Sequence, residues 1–449
     1  MKHHAPTIPQ ETKTTITDVV QWTQELERLH ARIAPRFARP EPSQRVLAYL
    51  QAILSDIPRK NSWQIAEHAG ETRPDGMQRL LARAVWDADL VRDDLHTYVL
   101  EQLGDQDAIL VIDETGFPKR GTKSAGVARQ YCGTTKQREN CQVGVFLSYV
   151  TTSGHTLLDR ELYIPKRWFN DPQRCREAGI PETTHFHTKC EFARIMVERV
   201  FQAQIPIRWI VADTVYGSNQ DLRDDFEQRR MSYVLAVRCT EPIEIQTADG
   251  RQRMTVAEAE ARLLQAQDWQ QLSMGSGTKG PRWFDWACLP MLHGCEEDGQ
   301  HWLLIRRSLT DLTDKSYYFV FGPKGTSLSQ MVEAIGARWH IEEDFETGKS
   351  LGLDQYEVRT WTAWYRHVTL VLLALAFLTG ICARDPATQT SEQESLLLPL
   401  TRPEVCHLLG QLIWPHPHNV PLLLAWSWWR WCHRSRASYY HTQRRLQAG

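Results

Sequence analysis

Two short apolar runs, each closed by an aspartate, constrain the fold more than any other feature of the chain. Ala108-Ile-Leu-Val-Ile112 leads into Asp113, and Trp209-Ile-Val-Ala212 leads into Asp213. Neither run alternates apolar with polar residues, so each predicts a central strand buried on two faces. Carboxylates at the ends of such strands point into one crevice, where α/β sheets place ligands. Each aspartate opens a short segment that ends in glycine, Asp113-Glu-Thr-Gly116 and Asp213-Thr-Val-Tyr-Gly217. These segments predict turns at which backbone can approach a bulky ligand.

A later segment supplies a third acidic group. Residues 328–350 predict one helix whose apolar stripe is Leu328, Val332, Ile335 and Trp339. At 100° per residue, Glu342, Glu346 and Lys349 continue that stripe, with Arg338 on its border and Glu343 about 80° away. A core-facing carboxylate costs several kcal/mol unless it is paired or metal-bound. Considered alone, the helix could satisfy it internally through Arg338 or Lys349. Considered with Asp113 and Asp213, Glu342 completes a set of three carboxylates able to hold two Mg²⁺ ions, hard cations that take oxygen ligands, with Mn²⁺ a possible substitute. One ion of such a pair activates water or a 3′-hydroxyl and the other stabilises the leaving oxygen of a phosphodiester. Arg338 and Lys349 would neutralise phosphate charge, and Glu346 is a second-ranked ligand beside Glu343.

The rest of the chain supplies the expected surroundings. Its 449 residues are enough for several domains, and its formal net charge of −2 leaves any nucleic-acid affinity to local patches. Residues 117–138 carry Lys119, Arg120, Lys123, Arg129, Lys136 and Arg138 with no acid, and residues 430–449 carry five arginines with no acid. Residues 1–105 predict a helical domain in which helices at 62–70, capped by Ser62, and 77–86 flank a glycine-bearing turn, as in a helix-turn-helix. Residues 106–239 predict a three-strand meander followed by alternating helix and strand, the first part of a mixed α/β core. Residues 240–325 predict a β-rich insertion with a hairpin loop at 275–280. Residues 326–384 predict the closing helices of the core, and 385–449 a polar linker and a basic, tryptophan-rich helical segment. The apolar run at 368–382 is shorter than the ~20 residues that span a bilayer, so it predicts a buried core helix and no membrane. Ten cysteines with no CxxC pair, and no signal-peptide core at the N-terminus, predict a reducing, cytoplasmic setting. Cys175, His185, His187 and Cys190 do not fit a zinc spacing.

Three motifs together resemble the DDE transposases of bacterial insertion sequences. They are Val111-Ile-Asp-Glu-Thr-Gly116, Val211-Ala-Asp-Thr-Val-Tyr-Gly217 and Arg338-Trp-His-Ile-Glu-Glu-Asp-Phe-Glu-Thr-Gly-Lys349. Arg338, Glu342 and Lys349 match the family's helix spacing, whereas its tyrosine position is Ile335 here. The resemblance covers about residues 45–380. It implies an RNase H-like core, Asp113, Asp213 and Glu342 as catalytic and metal-binding residues, and a β-rich insertion before the glutamate. It further implies double-stranded DNA as partner, both the element's terminal inverted repeats and the target, and a homodimer on that DNA. The basic residues at 119–138, with Tyr216, Arg359, Arg366 and His367, are the expected DNA contacts. Packing is the competing reading for the aromatics Tyr356, Trp364 and Tyr365. Two other functions fit the same motifs less fully: a transposase-derived DNA-binding protein without catalysis, and a nuclease that cuts but does not join.

Overall fold

A computed structural model describes residues 14–277, 280–292, 299–385, 400–415 and 419–448. The linker expected at 384–395 falls almost wholly outside the described residues, as do the first thirteen residues and the tip of the 275–280 loop. The chain forms two compact units, Met1–Asp94 with Glu177–Ile180 and Thr347–Gly449, and Leu95–Arg176 with Pro181–Glu346.

The first unit is helical. Its helices are α1 (Ile16–Ile33), α2 (Pro40–Ile53), α3 (Ser62–His68), α4 (Asp75–Ala82) and the start of α5 (Ala88–Leu103), then, after the sheet unit, α13 (Trp361–Ala383), α14 (Arg402–Leu412) and α15 (Val420–Ala448). The α1 terminus carries a capping box in which Thr15 and Asp18 satisfy each other's backbone N–H groups. Asn61, not Ser62, caps α3 by accepting from the backbone N–H groups of Trp63 and Gln64. Gly70 follows α3 at φ +76°, a left-handed conformation that disfavours side chains with a Cβ. Helix α13 is long and apolar enough to cross a membrane by length and composition, but 94% of its most apolar window is buried inside the protein. It packs against α1, α2, α4 and α14, and a helix that is apolar all round belongs in such a core.

The second unit is built on one ten-stranded sheet. Its strands are β1 (Ile109–Pro118), β2 (Ala128–Cys132), β3 (Gln137–Thr151), β4 (Gly154–Tyr163), β5 (Trp209–Ala212), β6 (Ser232–Val237), β9 (Gln270–Gly277), β10 (Gly280–Met291), β11 (Gln300–Arg307) and β12 (Lys315–Gly322). β7 (Pro242–Thr247) and β8 (Gly250–Thr255) pair separately. Strands β1, β3 and β4 form an antiparallel meander, and β5 and β6 join β1 in parallel. This β4-β3-β1-β5-β6 order is the RNase H-like arrangement, within a mixed α/β fold. β5 is buried along its whole length, as its unbroken apolar run requires.

The segment at 240–325 is less separate than expected. β12 pairs with β6, and β11, β10 and β9 follow it outward, so these strands extend the core sheet. Open backbone edge on β6 is what lets them join. Helix α11 (Leu328–Gly336) covers this extension, burying Met331, Val332 and Ile335 against Trp209, Val234, Trp286 and Val320.

Candidate active site

Asp113 and Asp213 are neighbours because β1 and β5 are parallel and in register. Val111 lies opposite Val211 and Ile112 opposite Ala212, so each aspartate comes next on its own strand. Adjacent strands lie about 4.8 Å apart, which brings the two carboxylates to the same place. Beyond that point β5 stops, and β1 continues to Pro118 paired with β3 along its other edge. The expected turn at 113–116 is therefore strand. Gly116 leaves room for Cys132, whose Sγ would lie 2.4 Å from an added Cβ. Gly217 likewise leaves room for the Ala236 carbonyl, 1.9 Å from an added Cβ. Both glycines serve packing between strands and helix, not approach of a ligand.

Asp213 caps the short helix α8 (Thr214–Gly217), accepting from the Val215 N–H at 2.8 Å. That helix positions Tyr216, which is fully buried and donates to Glu114 at 2.8 Å. Lys189, at the start of α7 (Lys189–Gln202), donates to the other Glu114 oxygen. Tyr216 thus supports an acidic neighbour of Asp113 and cannot reach DNA from there. Burial and Glu114 push its hydroxyl well above the ordinary tyrosine range.

The third acid arrives on a broken helix. The chain leaves α11 at Gly336, where an added Cβ would lie 2.5 Å from the Met274 carbonyl, and restarts as α12 (Trp339–Ser350). The break resets the helical phase. Trp339, extrapolated to the core, is exposed, and the buried face of α12 begins with Ile341, Asp344 and Phe345. Phe345 meets Phe146 edge-on at 5.4 Å, and the Ser148 hydroxyl donates to Asp344 at 2.6 Å. Glu346 is exposed. Arg338 sits at the break. Its Nη1 is 3.5 Å from Asp113 Oδ2 and its Nη2 3.0 Å from Glu342 Oε1. Glu343 points elsewhere, with its carboxylate 2.9 Å from His340 Nδ1 and 3.3 Å from His155 Nε2. Lys349 belongs to the helical unit.

Charge is unbalanced at this cluster. Asp113, Glu114, Asp213 and Glu342 gather around two cations, Arg338 and Lys189. Burial, then the Asp213 carboxylate, raise Asp113 to about 7 despite the nearby Arg338. Burial and Glu114 raise Asp213, with the Val215 N–H opposing them. Closely spaced carboxylates that resist joint ionisation favour a bound cation, and an all-oxygen donor set suits a hard one. Beside Asp213 and Arg338 opens a cleft of about 700 Å³ lined also by Arg282, Arg306, Lys315, Phe284, Tyr317 and Trp339. Its cations come from the sheet extension. Their positions in sequence give no signal, because alternating strand residues from β10, β11 and β12 bring them together.

The expected DNA contacts separate into two groups. Arg120, Lys123, Arg129, Lys136 and Arg138 are exposed and Lys119 half-exposed, on and around the β2–β3 hairpin at the end of β1 that follows Asp113. Arg359 is exposed within the helical unit. Arg366 and His367 are buried there instead. Arg366 donates to the carbonyls of Leu81 and Trp86, and His367 lies 2.8 Å from the Tyr49 hydroxyl and 2.9 Å from the Gly352 carbonyl. They lie on the first turns of α13, whose all-apolar continuation carries every face into the core. Tyr356 and Trp364 pack there too, joined by a 3.1 Å hydrogen bond.

Comparison with known proteins agrees with this geometry. A "Probable transposase for insertion sequence element IS701" from Microchaete diplosiphon is 29% identical over 194 residues, 43% of this chain and 48% of its own length. The chain therefore spans about half the length of that relative. The crystal structure of the NurA nuclease from Sulfolobus solfataricus aligns with 61% of this chain and 82% of its own, at 9% identity and a TM-score of 0.23, too low to bear on the fold. The family model described as DDE superfamily endonuclease matches residues 32–283, more than half of the chain, taking in Asp113 and Asp213 and ending before Glu342. With two strand-end aspartates in register and a helical glutamate tied to Asp113 through one arginine, the chain belongs to the DDE superfamily endonucleases.

Proposed function

We propose that this protein is a DNA transposase that cuts at the ends of its mobile element and joins the freed 3′-hydroxyls to target DNA. The observation that carries the reading is Arg338, which contacts both Asp113 and Glu342 beside Asp213. Asp113, Asp213 and Glu342 are the residues that would hold divalent cations, Mg²⁺ or Mn²⁺. When bound, such ions supply an activated oxygen nucleophile and stabilise the departing one. Asp113 and Asp213 present carboxylate oxygens from rigid strands, which fixes their geometry. Glu342 is delivered by α12, and Arg338 offers a guanidinium suited to phosphate. Glu114, held by Tyr216 and Lys189, adds negative charge beside Asp113.

The exposed hairpin cations at 119–138 would track the DNA backbone, with Arg359 on the helical unit a further contact. Helix α4 exposes Gln78 and Arg79, with Arg83 just past its end, side chains suited to reading base edges, and is the candidate recognition helix. Two ends must be handled together, so a homodimer on DNA is the expected working form.

The test uses linear DNA carrying the element's ends. Asp113→Asn, Asp213→Asn and Glu342→Gln should each abolish cleavage in Mg²⁺ while retaining gel-shift binding of the same DNA. Wild-type cleavage in any of the three would remove the catalytic assignment. A strand-transfer assay with pre-cut ends then separates transposase from nuclease, since a nuclease yields no joined product.

A further inference from the structure

We infer that the protein holds a second, chemically distinct metal site, a transition-metal centre of the zinc class formed by His155, His340 and Glu343. One ligand atom from each lies within 4.8 Å of the others. His340 Nδ1 and His155 Nε2 both face Glu343 Oε2, at 2.9 Å and 3.3 Å. Ligand atoms around one tetrahedral zinc, bound at 2.0–2.2 Å, lie about 3.3 Å apart. The two histidine rings stack with centroids 4.4 Å apart, which sets their nitrogens side by side.

The outer shell is what distinguishes this cluster from a chance meeting of polar groups. Asp344 is fully buried, and its Oδ1 lies 2.8 Å from His155 Nδ1. Its other oxygen accepts from the buried Ser148 hydroxyl at 2.6 Å. A carboxylate on Nδ1 places the proton there and leaves the Nε2 lone pair for a metal. That lone pair faces a carboxylate oxygen 3.3 Å away. Two electron-rich atoms held so close need a proton or a metal ion between them. Two imidazoles and one carboxylate favour a borderline metal, whereas the all-oxygen Asp113 cluster favours Mg²⁺. Three protein ligands leave a fourth position for water.

The site joins the start of β4 to α12, the helix that carries Glu342 on another side. A metal there would pin α12 to the sheet and hold Glu342 in place. The inference does not depend on the transposase reading, and zinc retention is read without DNA.

The experiment measures zinc retained by the full chain after chelator treatment, incubation with Zn²⁺ alone and desalting, with affinity from a competing chromophoric chelator. Wild type should retain one zinc per chain, and X-ray absorption at the zinc edge should show two histidine nitrogens. His155→Ala/His340→Ala should abolish that retention. Glu343→Gln, nearly isosteric, should weaken it and guards against misfolding of the double variant. Asp344→Asn keeps all three ligands and should weaken affinity by about 10–100-fold. Asp113→Asn/Glu342→Gln should retain zinc as wild type does. Absence of stoichiometric zinc in the wild type would overturn the site. So would undiminished retention in a folded His155→Ala/His340→Ala or Glu343→Gln variant, or loss confined to Asp113→Asn/Glu342→Gln.

Discussion

At the scale of residues, the decisive feature is how an environment sorts chemically identical groups. Glu342 and Glu343 are adjacent, yet one faces Arg338 and the other faces two histidines. Burial and the Asp213 carboxylate raise Asp113 to about 7. Its folded value lies above its ordinary 3.8. The metal-free protein therefore has this contribution to stability in full below pH ~4 and loses it as pH rises toward and through about 7. A cation that neutralises the site restores it. Mg²⁺ should raise the melting temperature more at pH 8 than at pH 5, and Asp113→Asn should flatten the difference. Equal Mg²⁺ stabilisation at both values in the wild type would contradict the proposed coordination. The aspartates were legible as candidates from their apolar lead-ins. The burial of Tyr216 was not, because a tyrosine beside an active-site motif looks the same in sequence whether it meets DNA or props up Glu114.

At the scale of elements, short-range patterns located helices and strands well and their phase poorly. The periodicity of residues 328–335 correctly marks an amphipathic helix. Extending it to Glu346 fails, because close packing of Gly336 on β9 ends one helix before the next begins. The same limit explains α8, a four-residue helix with no periodicity to read. It is fixed by its cap and by contact with β6: the Asp213 carbonyl accepts from Gly217 N–H at 2.9 Å, and Gly217 abuts Ala236. Gly217→Ala should therefore cost about 1–3 kcal/mol by overpacking, read as a lowered urea midpoint. It should also depress cleavage beyond any loss of folded protein, because α8 orients Asp213. A variant with unchanged stability would show that α8 shifts without cost.

At the scale of the whole chain, the net charge of −2 hides a division of labour. Acids gather at the strand ends, while cations sit on the β2–β3 hairpin and along the cleft lined by Arg282, Arg306 and Lys315. DNA affinity should fall steeply with salt despite the acidic total. Arg120→Ala/Lys123→Ala/Arg138→Ala should lower the slope of log affinity against log salt by about 1 for each lost phosphate contact. An unchanged slope would move the DNA path off the hairpin. The amino-acid sequence by itself pointed to a mixed α/β core, since two unbroken apolar runs suit strands buried on both faces, its motifs resembled a family with an RNase H-like core, and residue type and spacing singled out Asp113, Asp213 and Glu342. Only the tertiary structure decided that residues 270–322 extend the core sheet, that Arg366 and His367 are interior, and that His155, 189 residues before Asp344, shares a site with α12. Local pattern reports which face of an element is apolar. Which edge pairs, where a helix breaks and which distant side chains meet depend on contacts between residues far apart in the chain, and no local window contains them.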